Sequence, residues 1–156
     1  MSEPYEEIFE GETLLRSAPG LRHEKICVRL HHRIAKELAG NAVSRLLSPR
    51  SIVQLSPGTM VRPDLAVVTV ATAKVWLVVE IIDSEDHHPD TVLKKSVYED
   101  FSVPRLWVID PRYDNVETYH GTSYGLALRG ILAGSERLKE SLLPQLDLTV
   151  ADLFAV

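Results

Sequence analysis

Between residues 20 and 38, Ile26, Leu30, Ile34 and Leu38 return at every fourth position among polar neighbours, and Gly40-Asn41 follows as a stop signal. That spacing stacks four aliphatic side chains along one side of a helix. The pattern then changes. Residues 51–55, 59–70 and 75–82 are rich in Val, Ile and Leu and are separated by Ser56-Pro57-Gly58 and a short break after residue 70, which predicts three strands in a meander. Helical spacing resumes with Leu93, Val97 and Phe101, and Asp90 offers an N-cap for this second helix. Residues 105–109 predict a further strand, 116–119 and 125–128 edge strands, and 150–154 a short closing helix. The core order α-β-β-β-α-β describes an α/β protein with a mixed β-sheet flanked by helices.

Two carboxylates interrupt this pattern. Glu80 lies within Val75-Trp76-Leu77-Val78-Val79-Glu80-Ile81-Ile82, a run without alternation that predicts a strand covered on both faces. An ionised carboxylate there is costly unless compensated. Asp64 poses the same question just before Leu65-Ala66-Val67-Val68. If residues 71–73 form the hairpin loop, Asp64 and Glu80 stand directly opposite on one face with Cβ atoms about 5 Å apart, an unfavourable pairing for like charges. A loop of residues 71–74 puts them on opposite faces instead. A bound cation would relieve the repulsion: two carboxylates and a backbone carbonyl, that of Ile81, leave positions for water and a phosphate oxygen around Mg²⁺ or Mn²⁺. The alternative is structural, with Asp64 capping a strand and Glu80 paired with Lys94.

Lys94 lies one helical turn after Asp90 and one before Tyr98, so the three share a stripe beside the apolar face. An ammonium there can orient a water or neutralise phosphate charge, or it can simply be solvated. His23, one turn before Ile26, can reach the same region or serve as a capping or partly buried structural histidine. Arg22, Lys25, Arg29, Arg33 and Lys36 recur at helical spacing and form a basic stripe that can follow a phosphate backbone; a solvated face diluted by Glu24 and Glu37 explains the same spacing. Asp83, Asp86, His87, His88 and Asp90 lack a recognised ligand spacing and read as a polar loop. Asp110-Pro111 reads as a turn.

Composition narrows the picture. The 156 residues are 45% hydrophobic and 25% charged, which suits one domain over residues 1–156 with a core large enough to fold without staples. A net charge of -5 excludes a protein that coats nucleic acid through bulk charge, so contact with DNA needs a local basic face. The single cysteine, Cys27, cannot form an internal disulfide or a multi-thiolate zinc site. With an acidic N-terminus and no apolar run near the ~20 residues of a membrane span, the expectation is a soluble cytoplasmic protein without a membrane partner. No glycine-rich phosphate loop or nucleophile elbow is present.

Taken in order, Arg62-Pro63-Asp64-Leu65, Val78-Val79-Glu80-Ile81-Ile82, Asp90 with Lys94 and Tyr98 at four-residue steps, and the run from Val103 to Pro111 resemble the Uma-type restriction endonucleases, a bacterial branch of the PD-(D/E)XK nuclease superfamily. Ile8-Phe9-Glu10-Gly11-Glu12 followed by His23 is similar to the opening of that family. The resemblance implies a restriction-endonuclease-like fold and magnesium-dependent hydrolysis of DNA. Asp64 and Glu80 then match the metal-binding acids, and Lys94 matches a lysine carried on the helix after the Glu80 strand. Position 82 is Ile where the superfamily usually has a strand lysine, and residues 83–88 depart from the Ser-Pro-Ser-Thr type of sequence. These departures define a rival: a non-catalytic member of the fold that binds nucleic acid or protein, or a homodimer formed through exposed strands.

Overall fold

The computed structural model describes residues 2–83 and 92–156. Helix α1 (Leu21–Glu37) fills the first amphipathic segment and buries His23, Ile26, Cys27, Leu30 and Ile34. Two sheets accompany it. The smaller joins β1 (Tyr5–Phe9), β2 (Glu12–Arg16), β4 (Val53–Ser56) and β5 (Thr59–Val61) in the order β2-β1-β5-β4. The larger joins β3 (Ser44–Leu46), β6 (Leu65–Thr69), β7 (Val75–Ile81), β8 (Arg105–Asp110), β9 (Asn115–Thr122) and β10 (Gly125–Ala133) in the order β10-β9-β8-β7-β6-β3. Strands β7 and β8 are parallel, and the chain between them carries α2 (Lys94–Asp100), as a parallel pair requires a crossover. A short helix, α3 (Val150–Phe154), closes the chain, its first turn capped by the Thr149 hydroxyl accepting from the Asp152 N–H.

The central strands are covered on both faces, which explains why β7 lacks alternation. Leu77, Val79, Ile81, Trp107 and Ile109 pack with α1 and the C-terminal segment, whereas Val78, Leu106 and Val108 pack with Tyr98 and Val103 on the other side. Each aliphatic side chain buried this way contributes roughly 1.5–3 kcal/mol.

The expected meander is divided between the sheets. The strand predicted over 59–70 breaks at Arg62-Pro63-Asp64 into β5 and β6, since Pro63 has no N–H for a ladder. Hairpin β1–β2 and the three-residue β3 are additions; the hairpin turns at Glu10 (φ 50°) and Gly11 (φ 83°), both in the left-handed region that tight hairpins use. Strands β9 and β10 extend well past their predicted bounds. Helix α2 is also rotated from expectation. Lys94 and Tyr98 are buried, Leu93 and Phe101 are 37% and 40% exposed, and the Asp90 cap lies outside the described residues. Buried acids on β1 and β7 draw Lys94 and Tyr98 inward, as the site shows.

The β6–β7 loop has the four residues of the longer alternative but begins one residue earlier. The Thr69 N–H donates to the Lys74 carbonyl (2.9 Å), so residues 70–73 form the loop. A bulge at Trp76 then absorbs the extra residue: Val68 pairs with Val75, but Val67 pairs with Leu77 and Leu65 with Val79. Leu65 therefore holds the register that the shorter loop would have given, and Asp64 and Glu80 come to the same end of adjacent strands.

Candidate active site

Asp64 sits where the chain leaves the small sheet and enters the large one. Only 3% of it is exposed, and its Oδ2 accepts from the Ile81 N–H at 2.7 Å, which ties it to the end of β7. Two cationic side chains face Oδ1, Arg50 Nη1 at 3.1 Å and His23 Nε2 at 3.3 Å. His23 Nε2 also lies 3.0 Å from the Ile81 carbonyl. Burial pushes the Asp64 carboxyl up, but His23, the Ile81 N–H and Lys94 outweigh it and hold the group below its usual range. For His23 burial acts downward, and the Asp64 carboxylate reverses it, lifting the imidazole to about 9.

Glu80 lies deeper, on β7. Its Oε2 accepts a short hydrogen bond from the Tyr98 hydroxyl and stands 2.6 Å from Lys94 Nζ. The Lys94 ammonium is also 2.7 Å from Glu7 Oε2, and both of these side chains are fully buried. Glu7 accepts in addition from the Arg62 N–H (2.7 Å) and from Arg16 Nη1 (2.7 Å). Burial favours the neutral form of Glu7, yet Lys94, the Arg62 N–H and Arg16 together hold its carboxyl below the usual range. Burial, followed by the negative charge of Glu80, pushes the Tyr98 hydroxyl well up, so it remains a donor.

The structure thus brings together Asp64, Glu80, Lys94, Tyr98, His23 and the Ile81 backbone. Asp90 and the residues Asp86, His87 and His88 lie outside the described residues. Sequence reasoning missed Glu7, Arg16, Glu24 and Arg50. Glu7 occupies the inward position of the short strand Tyr5–Phe9 and becomes recognisable only with its hairpin. Arg50 carries no local signal: it is a loop residue at φ 55°, and its guanidinium also bonds Glu24 Oε2 at 2.7 Å.

The basic stripe on α1 is largely engaged within the chain. Arg22 donates to the Pro111 carbonyl (2.8 Å) and pairs with Asp114, Arg29 donates to the carbonyls of Asp152 and Ala155, and Arg33 donates to that of Asp147 (3.0 Å). Lys25 and Lys36 are exposed. Asp110 accepts from the Arg112 N–H (2.9 Å), a turn-forming bond as expected. Two clefts flank the acids. One of about 450 Å³ opens beside His23, with Arg22, Asp83 and Arg112 in its wall. The other, about 400 Å³, opens beside Arg50, with Tyr5, Glu24 and Arg62.

Among the described residues, no three His, Cys, Asp or Glu side chains gather as a ready-made metal cage. The donors available are two carboxylates and the Ile81 carbonyl. That all-oxygen set suits a hard divalent cation that keeps several waters, and the cations drawn to both acids reflect the positive charge the cluster requires.

The mixed six-stranded sheet with its flanking helices is a fold shared with a solved structure. A protein from Anabaena variabilis, described as "a putative nuclease belonging to DUF820", superposes with a TM-score of 0.80 at 15% identity, covering 99% of this chain and 92% of that one. The chain itself belongs to the Uma2 family, described as "Putative restriction endonuclease", whose model matches residues 2–151. No curated protein matches it. Among the described residues, no helix is long and apolar enough to cross a membrane.

Proposed function

We propose that residues 1–156 form one unit acting as a metal-dependent DNA endonuclease in the cytoplasm, with Asp64, Glu80 and the Ile81 carbonyl holding Mg²⁺ or Mn²⁺ and Lys94 assisting. The observation that carries this reading is the convergence of two almost wholly buried carboxylates and a buried lysine at adjacent strand ends, in a chain of a restriction-endonuclease-type family. Bound there, a divalent cation supplies Lewis acidity toward a phosphate oxygen and lowers the pKa of a water. Lys94, held between Glu80 and Glu7, is a fixed ammonium that can orient the attacking water or offset charge developing on the phosphate. Tyr98 fixes the rotamer of Glu80, and His23 braces both Asp64 and the Ile81 carbonyl. Contact with the DNA backbone falls to Lys25 and to the solvent-facing parts of Arg22, Arg29 and Arg33; Arg22 keeps 45% of its side chain exposed.

A second reading is favoured by one observation. Lys94 closes an ion network with Glu7 and Glu80 that is complete as a structural unit, and Ile82 stands where a strand lysine is usual. In that reading the chain is a non-catalytic binding module, with the edge strand β10 and its exposed Leu128 and Ile131 available for a homodimer. Nicking of supercoiled DNA with Mg²⁺ or Mn²⁺ decides between them. Wild type should nick, and Asp64→Ala and Glu80→Ala should not while retaining the wild-type circular dichroism spectrum. A folded wild type that neither binds metal nor nicks would leave the binding module.

A further inference from the structure

Arg50, like Lys94, stands between two carboxylates, but it does so at the wall of a cleft. Its guanidinium bridges two carboxylates from different elements, Asp64 Oδ1 at 3.1 Å and Glu24 Oε2 at 2.7 Å. Its own backbone is strapped to the turn that carries Asp64, the Arg50 N–H lying 3.1 Å from the Pro63 carbonyl and 3.3 Å from that of Asp64, so the side chain is aimed at this acid from a left-handed conformation. Unlike Lys94, which is wholly buried, Arg50 is 14% exposed at the side chain and lines the 400 Å³ cleft with Arg62 and Tyr5. Arg62 is anchored beside it, its Nε donating to the Arg50 carbonyl (2.9 Å) and its guanidinium lying over the Tyr5 ring at 5.4 Å. Across the bridge, Glu24 Oε1 is buried without a hydrogen bond among the described residues, with His23 Nδ1 3.5 Å away.

A guanidinium between two carboxylates occupies the electrostatic place of a cation. A divalent ion at Asp64 and Arg50 at Asp64 repel each other and compete for the same oxygen. A guanidinium displaced from that oxygen faces a cleft where its planar fork matches two oxygens of a phosphate. We propose that Arg50 is the internal counter-ion of Asp64 in the metal-free protein and, once metal is bound, turns to the cleft as a ligand of the substrate's phosphodiester. The proposal rests on the nuclease reading and adds to it a residue with two exclusive partners.

Because the two roles oppose each other, one variant separates them. In Arg50→Gln the competitor is gone, so calorimetric titration with Mn²⁺ should give binding about fivefold or more tighter than wild type, the lower end of ordinary coupling between sites. The same variant should show a KM for DNA nicking raised by about tenfold, equivalent to one lost charge-assisted contact. A residue that merely props the loop would weaken both. Equal or weaker Mn²⁺ binding in Arg50→Gln, with wild-type binding abolished in Asp64→Asn, overturns the proposal and leaves the nuclease reading standing. Wild type that binds no Mn²⁺, or an Asp64→Asn variant that binds it as well as wild type, overturns both. Should Arg50→Gln fail to fold, Arg50→Lys carries the test. It keeps the charge but not the fork, so Mn²⁺ affinity should stay at the wild-type level while KM rises, and an unchanged KM overturns the proposal.

Discussion

Lys94 and Glu7 meet at 2.7 Å with both side chains fully buried, joining the first strand to the second helix across the middle of the molecule. Removing Glu7 takes away one of the two carboxylates around Lys94 and the acceptor of Arg16 Nη1, and breaking a buried ion network in this way costs far more than exchanging its members for apolar groups. Glu7→Ala should therefore destabilise the protein by about 3–5 kcal/mol in urea denaturation. Glu7→Leu combined with Lys94→Met should recover part of that loss. An additive double variant would mean that the two side chains do not interact energetically.

The Tyr98 hydroxyl can be removed without leaving a cavity. Tyr98→Phe should cost about 1–3 kcal/mol, because a buried acceptor on Glu80 loses its donor while ring packing is kept. Under the nuclease reading, nicking should also slow at unchanged KM; a rise in KM alone would place Tyr98 in substrate binding instead.

The His23–Asp64 pair gives stability a defined pH window. The folded imidazole titrates at about 9 against an ordinary 6.5, so its contribution is fully present below about pH 6.5 and is lost as pH rises through 9. Asp64 is held below its ordinary 3.8, so its contribution is present above that value and is lost as pH falls toward the lowered one. Stability attributable to the pair should be greatest between about pH 4 and 6.5 and fall on the order of 3 kcal/mol by about pH 10. Chemical denaturation of wild type and His23→Asn across this range checks it, and parallel curves would show that the pair contributes no pH dependence.

Salt dependence of DNA binding sorts the basic stripe. Lys25→Ala should reduce the salt slope by about one, as expected for a lost phosphate contact. Arg33→Ala should reduce the slope by less than Lys25→Ala and lower thermal stability as well, because Arg33 also fastens α1 to the C-terminal segment through the Asp147 carbonyl.

How far the sequence reaches into this site depends on distance along the chain. Asp64 and Glu80 are legible because each stands in or beside an apolar strand and both belong to one hairpin, but the register that brings them to one end comes from the bulge at Trp76 and not from a three-residue loop. Lys94 and Tyr98 are legible as a stripe one turn apart. The face that α2 buries is not, since Leu93, Val97 and Phe101 form the better apolar row and only the acids of β1 and β7 explain the rotation. Glu7 and Arg50 reach the site from an isolated hairpin and a loop, and no local periodicity records which sheet a short strand joins or where a left-handed loop residue points its side chain. The division of the meander has the same origin: Pro63 announces a break but not that the two halves enter different sheets.

The bulge at Trp76 gives the hairpin a mechanical property. Slack between its tip and the two acids is taken up at that one residue, so β6 and β7 keep their register beyond it whatever the tip does. A version of the protein lacking one residue of 70–73 can flatten the bulge and still present Asp64 beside Glu80. A deletion in β6 between Asp64 and Val67 has no such reserve, because the surplus residue lies on β7, and it turns Asp64 to the opposite face. The hairpin thus has one strand that can give up a residue and one that cannot, and the spare residue is a single tryptophan.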